Sequence, residues 1–410
     1  MAKLAVNGGV PVARDLIVEK WPIIDDKDRS AVLEVVNSQD WCRLHENSKV
    51  GQFEGKYANF HGAKHCIATA NGTVSLQLAL RTLGIKAGDE AIVPAVSFIA
   101  TASAVAEIGA IPIFADIDSE TAQISPEAIE ETITSRTKAV IIVHYSGYPA
   151  NFDAILPIAK KHNLKVVEDA AHAHGTEWKR RKVGAIGDIG SFSFQGTKSL
   201  CAGEGGCVLT NDAGLAEKAQ LIDNIGRVLG APGYEHHILS SNYRMSEFCG
   251  AVLLSQLEKF PEQLDMREKN GEFLASELEK IGGVNPLKKD LRITKRGYCF
   301  FVIRYDRKGF KDIPRDKFIK ALNAEGIPCH VAYRVPLYKQ TAFKKINIRQ
   351  LIPEILGEIP DYENLYLSAS EKFCFEEQIA ISHRILLHRA NIQLILNAIV
   401  KIKNNIGELK

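Results

Sequence analysis

Lys165-Val-Val-Glu-Asp-Ala-Ala-His-Ala-His-Gly175 is an apolar strand that runs directly into two carboxylates and two histidines. Open α/β sheets bind ligands beyond the carboxyl ends of their strands, so Asp169 and His172 fall where a site would form. Shortly downstream comes Gly190-Ser-Phe-Ser-Phe-Gln-Gly-Thr-Lys-Ser-Leu-Cys-Ala-Gly-Glu-Gly-Gly206. Here Lys198 stands between an apolar, hydroxyl-bearing strand and a glycine-rich turn. Ser191, Ser193 and Thr197 can hold an anion, and the glycines let backbone approach a ligand closely. A lysine on its own is ordinarily a solvated surface charge.

Moving outward, strand and helix signals alternate. Residues 73–83 carry Val74, Leu76, Leu78, Ala79, Leu80 and Leu83 at helical spacing and close at Gly84. Strand 91–93, helix 99–108 stopped by Gly109, and strand 111–115 follow. Ser125-Pro126 is an N-cap with proline at the first helical position, opening a helix to about residue 133. A strand at 139–143, a helix across 153–162 and a strand at 165–167 continue the rhythm, which predicts an α/β fold with a mostly parallel sheet covered on both faces. Shorter strands are expected at 190–194 and 207–210. The amphipathic segment 247–281 reads as a helix broken at Pro261, bridging to a smaller C-terminal α/β domain with a strand at 298–304.

The chain has 410 residues, 46% of them hydrophobic, and a formal charge of +2. That is long enough for two domains and gives no reason to expect a polyanionic partner such as nucleic acid. Lys401 and Lys403 alternate with apolar residues and read as a solvated helix face. Eight dispersed cysteines without a Cys-x-x-Cys pair predict free thiols in a reducing cytoplasm. No apolar run of about 18 residues suggests a membrane span. Gly190 to Ser199 does not meet the Gly-x-x-x-x-Gly-Lys-Ser/Thr spacing of a P-loop, and no Gly-x-Gly-x-x-Gly follows a strand. His172 and His174 lack a third ligand at sensible spacing, so no metal is expected.

An acid, a lysine and an anion-holding turn together fit pyridoxal phosphate, which needs a lysine for its Schiff base, an acid for its ring nitrogen and a cradle for its phosphate. Several separated motifs point the same way: Trp21-Pro22, Ala70-Asn-Gly-Thr73, Val93-Pro-Ala-Val-Ser-Phe-Ile-Ala-Thr101, Glu168-Asp-Ala-Ala-His-Ala173, the Lys198 segment and Ser241-Asn-Tyr-Arg-Met-Ser-Glu247. In these motifs, their order and their spacing the chain resembles the DegT/DnrJ/EryC1/StrS family of pyridoxal phosphate-dependent aminotransferases acting on sugars and cyclitols.

The resemblance implies transferase fold type I: an arm over 1–25, a large cofactor-binding domain with a mostly parallel seven-stranded sheet over 26–275, and a small α/β domain over 276–410. It implies Lys198 as the catalytic lysine, Asp169 against the pyridine nitrogen, His172 at the phenolic oxygen and Phe98 stacked on the ring. Gly72, Thr73 and Ser193 would take the phosphate. Asn242 would reach the phosphate of a neighbouring subunit, making a homodimer with shared sites. His174 and His144 read as structural.

Gln195, the Ala-Gly-Glu-Gly-Gly after Lys198 and Ile381-Ser-His-Arg-Ile-Leu-Leu387 look most like the branch holding scyllo-inosose aminotransferases and 3-amino-5-hydroxybenzoate synthases. Transfer from L-glutamate or L-glutamine to a keto-cyclitol or keto-sugar is the activity this implies. A dehydratase of the hydroxybenzoate type and a non-catalytic regulatory subunit are the alternatives. Trp41, Gln195, Glu204, Arg334 and Tyr338 are candidates for the substrate side of the pocket, with small-domain packing the competing reading of Arg334 and Tyr338.

Overall fold

The computed structural model describes residues 3–230 and 234–409. Its first nine strands are β1 (His65–Thr69), β2 (Glu90–Pro94), β3 (Ile111–Ala115), β4 (Thr137–Val143), β5 (Lys165–Asp169), β6 (Glu177–Trp178), β7 (Arg181–Lys182), β8 (Ile189–Ser193) and β9 (Gly206–Thr210). Seven of them form one sheet in the order β1-β9-β8-β5-β4-β2-β3. All neighbours are parallel except at β9, which runs antiparallel to both β1 and β8. The exception is local: β8 and β9 are joined by residues 194–205, a return loop too short for a helical crossover. The carboxyl ends of β1, β2, β4, β5 and β8 therefore share one edge of the sheet. Strands β2 and β3 are buried along their whole length, as expected of near-continuous apolar runs covered on both faces.

The helices of this half are α1 (Asp26–Ser38), α2 (Lys49–His61), α3 (Gly72–Thr82), α4 (Ala100–Glu107), α5 (Pro126–Thr132), α6 (Phe152–Lys161), α7 (Ala213–Asp223) and α8 (Glu247–Ile281). Most begin on a side-chain cap. Asp25, Ser48, Asn71, Ser125, Asp212 and Ser246 each accept a backbone N–H of the first turn. The break expected at Pro261 does not occur, and α8 runs uninterrupted for 35 residues. An interior proline costs a helix about 3 kcal/mol. Phe260 and Leu264 are buried in the core of the large sheet, while Leu274 and Leu278 are buried in a second core further along. Each such side chain contributes roughly 1.5–3 kcal/mol, so the helix is clamped on both sides of the proline and the kink loses.

That second core surrounds β10 (Val284–Asn285), β12 (Phe300–Tyr305), β13 (Cys329–His330) and β14 (Gln378–Ser382), an antiparallel sheet in the order β10-β12-β14-β13, while β11 (Ile293–Lys295) pairs with β6. Phe301, Ile303, Ile379 and Ile381 of the sheet pack on Phe318 and Leu322 of the helix Arg315–Ala324 and on Ile392, Ile395 and Ile399 of the helix Arg389–Asn404. Leu4 and Ala13 join the same core, and Glu325 accepts hydrogen bonds from the amides of Ala5 (2.9 Å) and Val12 (3.1 Å). Residues 337–362 go the other way. Tyr338, Phe343 and Tyr362 pack around Phe114 of β3, and the Tyr362 hydroxyl donates to the Pro112 carbonyl at 2.6 Å. A third cluster, including Val96, Val143, Tyr145, Val302 and Phe373, joins the large sheet to the small one.

Candidate active site

A cavity of about 1180 Å³ opens at the carboxyl edge of the large sheet and is roofed by β12, β13 and the segment after β14. Asp169 is the last residue of β5, paired in register with Val143 and Ser191. It is buried, and its carboxylate accepts from the Thr101 hydroxyl (2.8 Å) and the Ala171 amide (3.3 Å). Burial pushes its pKa up from the ordinary carboxylate value, opposed by those two donors and by the charge of Lys198. Glu168, one residue earlier, points to the opposite face. Its carboxylate is consumed by the amides of Gly184, Ile186 and Gly187 and by His144 Nε2. Of the two adjacent acids, then, only Asp169 faces the cavity, and both of its hydrogen-bond donors are neutral.

Lys198 lies on the loop between β8 and β9, which is cross-braced by its own backbone. Phe194 N–H donates to Gly205 O, Gly196 N–H to Gly203 O, Ala202 N–H to Phe194 O and Lys198 N–H to Gln195 O, all at 2.8–2.9 Å. The Gln195 side-chain oxygen accepts from Thr197 Oγ1 (2.7 Å) and Thr197 N (2.9 Å), so this residue lines the cavity but spends its amide oxygen on the turn. Trp21 donates its indole N–H to the Lys198 carbonyl at 2.9 Å. The lysine is thus held from outside its own loop as well.

The third wall is the start of α3. Asn71 caps the helix by accepting from Val74 N–H (3.1 Å), and among the described residues the amides of Gly72 and Thr73 have no protein acceptor. Free amides at the positive end of a helix make an anion site. Gly72 is required there for space, because a Cβ would stand 2.6 Å from Cβ of Ser193 and 3.0 Å from its Oγ. The Ser193 hydroxyl and the α3 amides therefore converge on the same corner of the cavity.

His172 is buried with its pKa well below the ordinary histidine value, because burial and the charge of Lys198 both oppose protonation. Ser146 N–H donates to its Nδ1 (3.4 Å), which leaves the proton on Nε2, 3.5 Å from the Tyr333 hydroxyl. The group is a neutral N–H donor directed at the cavity. His174 is structural: its Nδ1 meets the Tyr57 hydroxyl (2.7 Å) and its Nε2 the Ser193 carbonyl (3.0 Å). Phe98 stands at the mouth, 55% exposed, and Glu204 also lines the cavity.

Three residues expected on the substrate side of the pocket stand elsewhere, and Asn242, expected at a neighbouring subunit's phosphate, lies outside this chain's cavity. Tyr338 is buried against Phe114, with its hydroxyl donating to Glu371 (2.7 Å), because residues 337–362 pack on the large sheet instead of over the cavity. Arg334 is largely solvated and faces Asp316 at 3.8 Å. Trp41 lies on the surface against Phe248. Asn242 is exposed, accepts the Arg244 amide at 3.1 Å and does not line this chain's cavity.

Conversely, Trp21, Tyr333, His383 and Arg384 line the cavity without having been read as site residues. Trp21 belongs to a sequence motif that carries no sign of a cavity wall, and Tyr333 is the chain neighbour of Arg334. His383 packs edge-on against Trp21 at 4.6 Å between ring centres. Burial holds His383 neutral, helped by the positive charge of buried Arg267, which stands 5.9 Å from the Trp21 ring and 5.3 Å from the Phe260 ring. Among the described residues no group of three His, Cys, Asp or Glu side chains could hold a metal ion.

Comparison with known proteins closes the argument about family. The DegT/DnrJ/EryC1/StrS aminotransferase family model matches residues 22–353, which include Gly72, Thr73, Asp169, Ser193 and Lys198. The chain belongs to that family. It is 34% identical over 430 residues to the L-glutamine:2-deoxy-scyllo-inosose aminotransferase of Streptoalloteichus tenebrarius, covering 99% of each chain. It is 36% identical over 330 residues to the 3-amino-5-hydroxybenzoate synthase of Amycolatopsis mediterranei, covering 80% of this chain and 84% of that one. The crystal structure of a 3-amino-5-hydroxybenzoic acid synthase superposes with a TM-score of 0.82 at 31% identity, covering 96% of this chain and 100% of the other. The aminotransferase is therefore a fold type I enzyme, as the resemblance implied.

Proposed function

We propose that this aminotransferase uses pyridoxal phosphate to move the amino group of L-glutamine or L-glutamate onto a keto group of a cyclitol or sugar. The observation that carries the reading is the meeting, in one cavity, of Lys198, a buried Asp169 whose hydrogen-bond donors are both neutral, and the unclaimed amides of Gly72 and Thr73 beside Ser193. A buried carboxylate of this kind is suited to a cationic ring nitrogen, and the α3 corner to a phosphate dianion. Pyridoxal phosphate bound there would supply an electron-accepting ring through which an amino group passes between two carbon skeletons.

The chain's own residues divide the remaining work. Asp169 keeps positive charge at the ring nitrogen, and its ionised form is favoured by the Thr101 and Ala171 donors. Lys198 would supply the amine that holds the cofactor and, once released from it, would move a proton at the reacting carbon. His172, a neutral Nε2–H donor, would hydrogen-bond the phenolic oxygen without adding charge. Phe98, at the mouth of the cavity, would cover one face of the ring. The substrate pairing is supported by the L-glutamine:cyclitol activity in the name of the full-length Streptoalloteichus relative.

The test is to load the protein with pyridoxamine phosphate and screen keto-cyclitols of the scyllo-inosose type against free and nucleotide-linked keto-sugars, following return of the pyridoxal absorbance. A keto-cyclitol should react first, and with glutamine present the donor's keto acid should accumulate in proportion to aminated product. The likeness to 3-amino-5-hydroxybenzoate synthase favours a second reading, a dehydratase built on the same lysine. It is distinguished by aromatised product without the donor's keto acid.

Gly72→Ala is expected to weaken cofactor binding by about tenfold or more, because overpacking typically costs 1–3 kcal/mol and the added methyl meets Ser193 Cβ at 2.6 Å. Titration of the apoprotein with pyridoxal phosphate checks this, and unaltered affinity would move the phosphate away from the α3 corner.

We further propose that two chains share their sites, Asn242 of one reaching the phosphate of the other. What supports this is that Asn242 stands outside its own cavity yet is held firmly. It bridges to Asn224, whose side chain accepts from Arg244 at 2.9 Å, and neighbouring Asp223 pairs with buried Arg43 at 3.1 Å. Val228, Leu229, Tyr234 and Leu239 of the same segment are solvent-exposed apolar groups, suited to cover by a second copy. Mixing inactive Lys198→Ala chains with inactive Asn242→Ala chains should restore part of the activity, since one heterodimer site then holds both residues. Proven heterodimers without activity would place both residues in the same chain's site.

A further inference from the structure

A neutral histidine carries its proton on one ring nitrogen only, and the neighbours of the ring decide which. His172 is neutral in the cavity, its pKa held well below the ordinary value by burial and by the charge of Lys198. On the cavity side its Nε2 meets the Tyr333 hydroxyl at 3.5 Å, a group that donates or accepts equally well and so leaves the choice open. The choice falls to the other nitrogen, where the Ser146 amide donates to Nδ1 at 3.4 Å. A backbone N–H cannot accept, so Nδ1 must offer a lone pair for as long as that amide faces it.

The turn Tyr145-Ser146-Gly147, which follows β4, aims that amide. Ser146 has φ +57°, in the left-handed region that disfavours a residue with a Cβ. Gly147 is wedged against the ring's own backbone, since a Cβ there would stand 2.6 Å from the Tyr298 nitrogen and 3.0 Å from the His172 carbonyl oxygen. Ser146 is held by Arg296, from the link between β11 and β12, whose guanidinium donates to Ser146 Oγ at 3.0 Å. The same guanidinium lies 4.3 Å from the centre of the Tyr298 ring and 5.2 Å from that of Tyr148. Thr176 Oγ ties the two segments again, donating to the Gly147 carbonyl (3.1 Å) and accepting from Gly297 N–H (2.8 Å). Arg296 and Ser146 are both buried, and Arg296 Nε has no acceptor among the described residues. A buried cation gains little stability from a neutral hydroxyl, so the contact reads as a means of holding the turn.

We infer that Arg296 and Ser146 are positioning residues that set the tautomer of His172, placing its proton on Nε2 and keeping a donor turned to the cavity. The inference rests on the aminotransferase reading for its purpose: with the proton on Nδ1, a lone pair would meet the phenolic oxygen of the cofactor, acceptor against acceptor. Neither residue lines the cavity, and both act through the ring of His172.

The test reads the tautomer directly, from solid-state 15N spectra of the full-length, histidine-labelled apoprotein, with His172→Gln assigning the signal. Wild type should show Nε2 protonated and Nδ1 bare. Arg296→Met, which still fills the space between the two tyrosine rings, should populate the other tautomer. Ser146→Ala, which removes the acceptor and leaves Arg296 in place, should do the same. Arg296→Lys, which keeps a donor, should retain part of the wild-type signal. Adding Ser146→Gly to Arg296→Met should restore it, because glycine takes a positive φ without the clamp. In titrations with pyridoxal phosphate, Arg296→Met should weaken binding about threefold to tenfold, the worth of one neutral hydrogen bond. That loss should vanish in a His172→Gln background, since an amide side chain donates N–H with no tautomer to set. A wild-type proton on Nδ1, a tautomer indifferent to Arg296→Met and Ser146→Ala, no rescue by Ser146→Gly, or a binding loss that persists in His172→Gln overturns the positioning role and assigns Arg296 to packing. Each of those results leaves the aminotransferase reading standing. Wild type that binds no pyridoxal phosphate overturns that reading and the purpose given to the Nε2 proton with it.

Discussion

Lys198→Ala is expected to fold, to bind pyridoxal phosphate reversibly and to lose transamination by at least about a thousandfold, the upper part of the range for a positioned proton-transfer group. The fold should survive because the loop is held by backbone bonds and by the Trp21 indole on the Lys198 carbonyl, none of which uses the ammonium. In the wild type, borohydride reduction should fix the cofactor on the peptide containing Lys198. Peptide mapping checks it: label on another lysine, or normal turnover in the variant, removes Lys198 from the chemistry.

Asp169→Asn is the second large effect and carries opposite signs for stability and activity. Activity should fall by roughly 100-fold to several thousandfold, because leaving a buried charge without its partner costs about 3–5 kcal/mol. Stability without cofactor should go the other way. Burial raises the Asp169 pKa in the folded chain, so the folded state binds more protons than the unfolded one and stability falls as pH rises above the ordinary carboxylate range. An amide has no charge to bury, so apo Asp169→Asn should melt no lower than apo wild type at pH 7, and the two should converge at low pH. Adding pyridoxal phosphate should then stabilise the wild type more than the variant. Thermal melts of both proteins, with and without cofactor across pH, test the sign. Near-normal turnover in the variant would mean another residue holds the ring nitrogen.

The difference between Glu168 and Asp169 shows where a sequence stops being informative. Side chains alternate along a strand, so the two acids had to face opposite sides of β5, yet either could have faced a ligand. Only the folded chain shows the amides of Gly184, Ile186 and Gly187 closing on Glu168 and leaving Asp169 to the cavity. Pro261 teaches the reverse lesson. A local rule predicted a break, and burial on both sides of the proline kept α8 whole.

The sequence by itself determined the parallel α/β sheet, its alternation with helices, and the residues of the cavity that lie at strand ends or helix starts. Those features are governed by periodicity, caps and turn chemistry within a few residues of each other; Asp169, Ser193 and Lys198 could be named from them, and Gly72 and Thr73 from the family resemblance. The roof of the cavity was decided only by tertiary structure. Trp21, Tyr333, His383 and Arg384 come from segments more than 300 residues apart at their extremes, and although Trp21 and the His383-Arg384 pair stand in quoted motifs, nothing local says that they meet at one cavity. Tyr338, four residues from Arg334, was drawn to the large sheet by its contact with Phe114. Which of several similar polar and aromatic side chains ends beside a cavity depends on which core buries the apolar residues around it, a non-local competition that no short stretch of chain encodes.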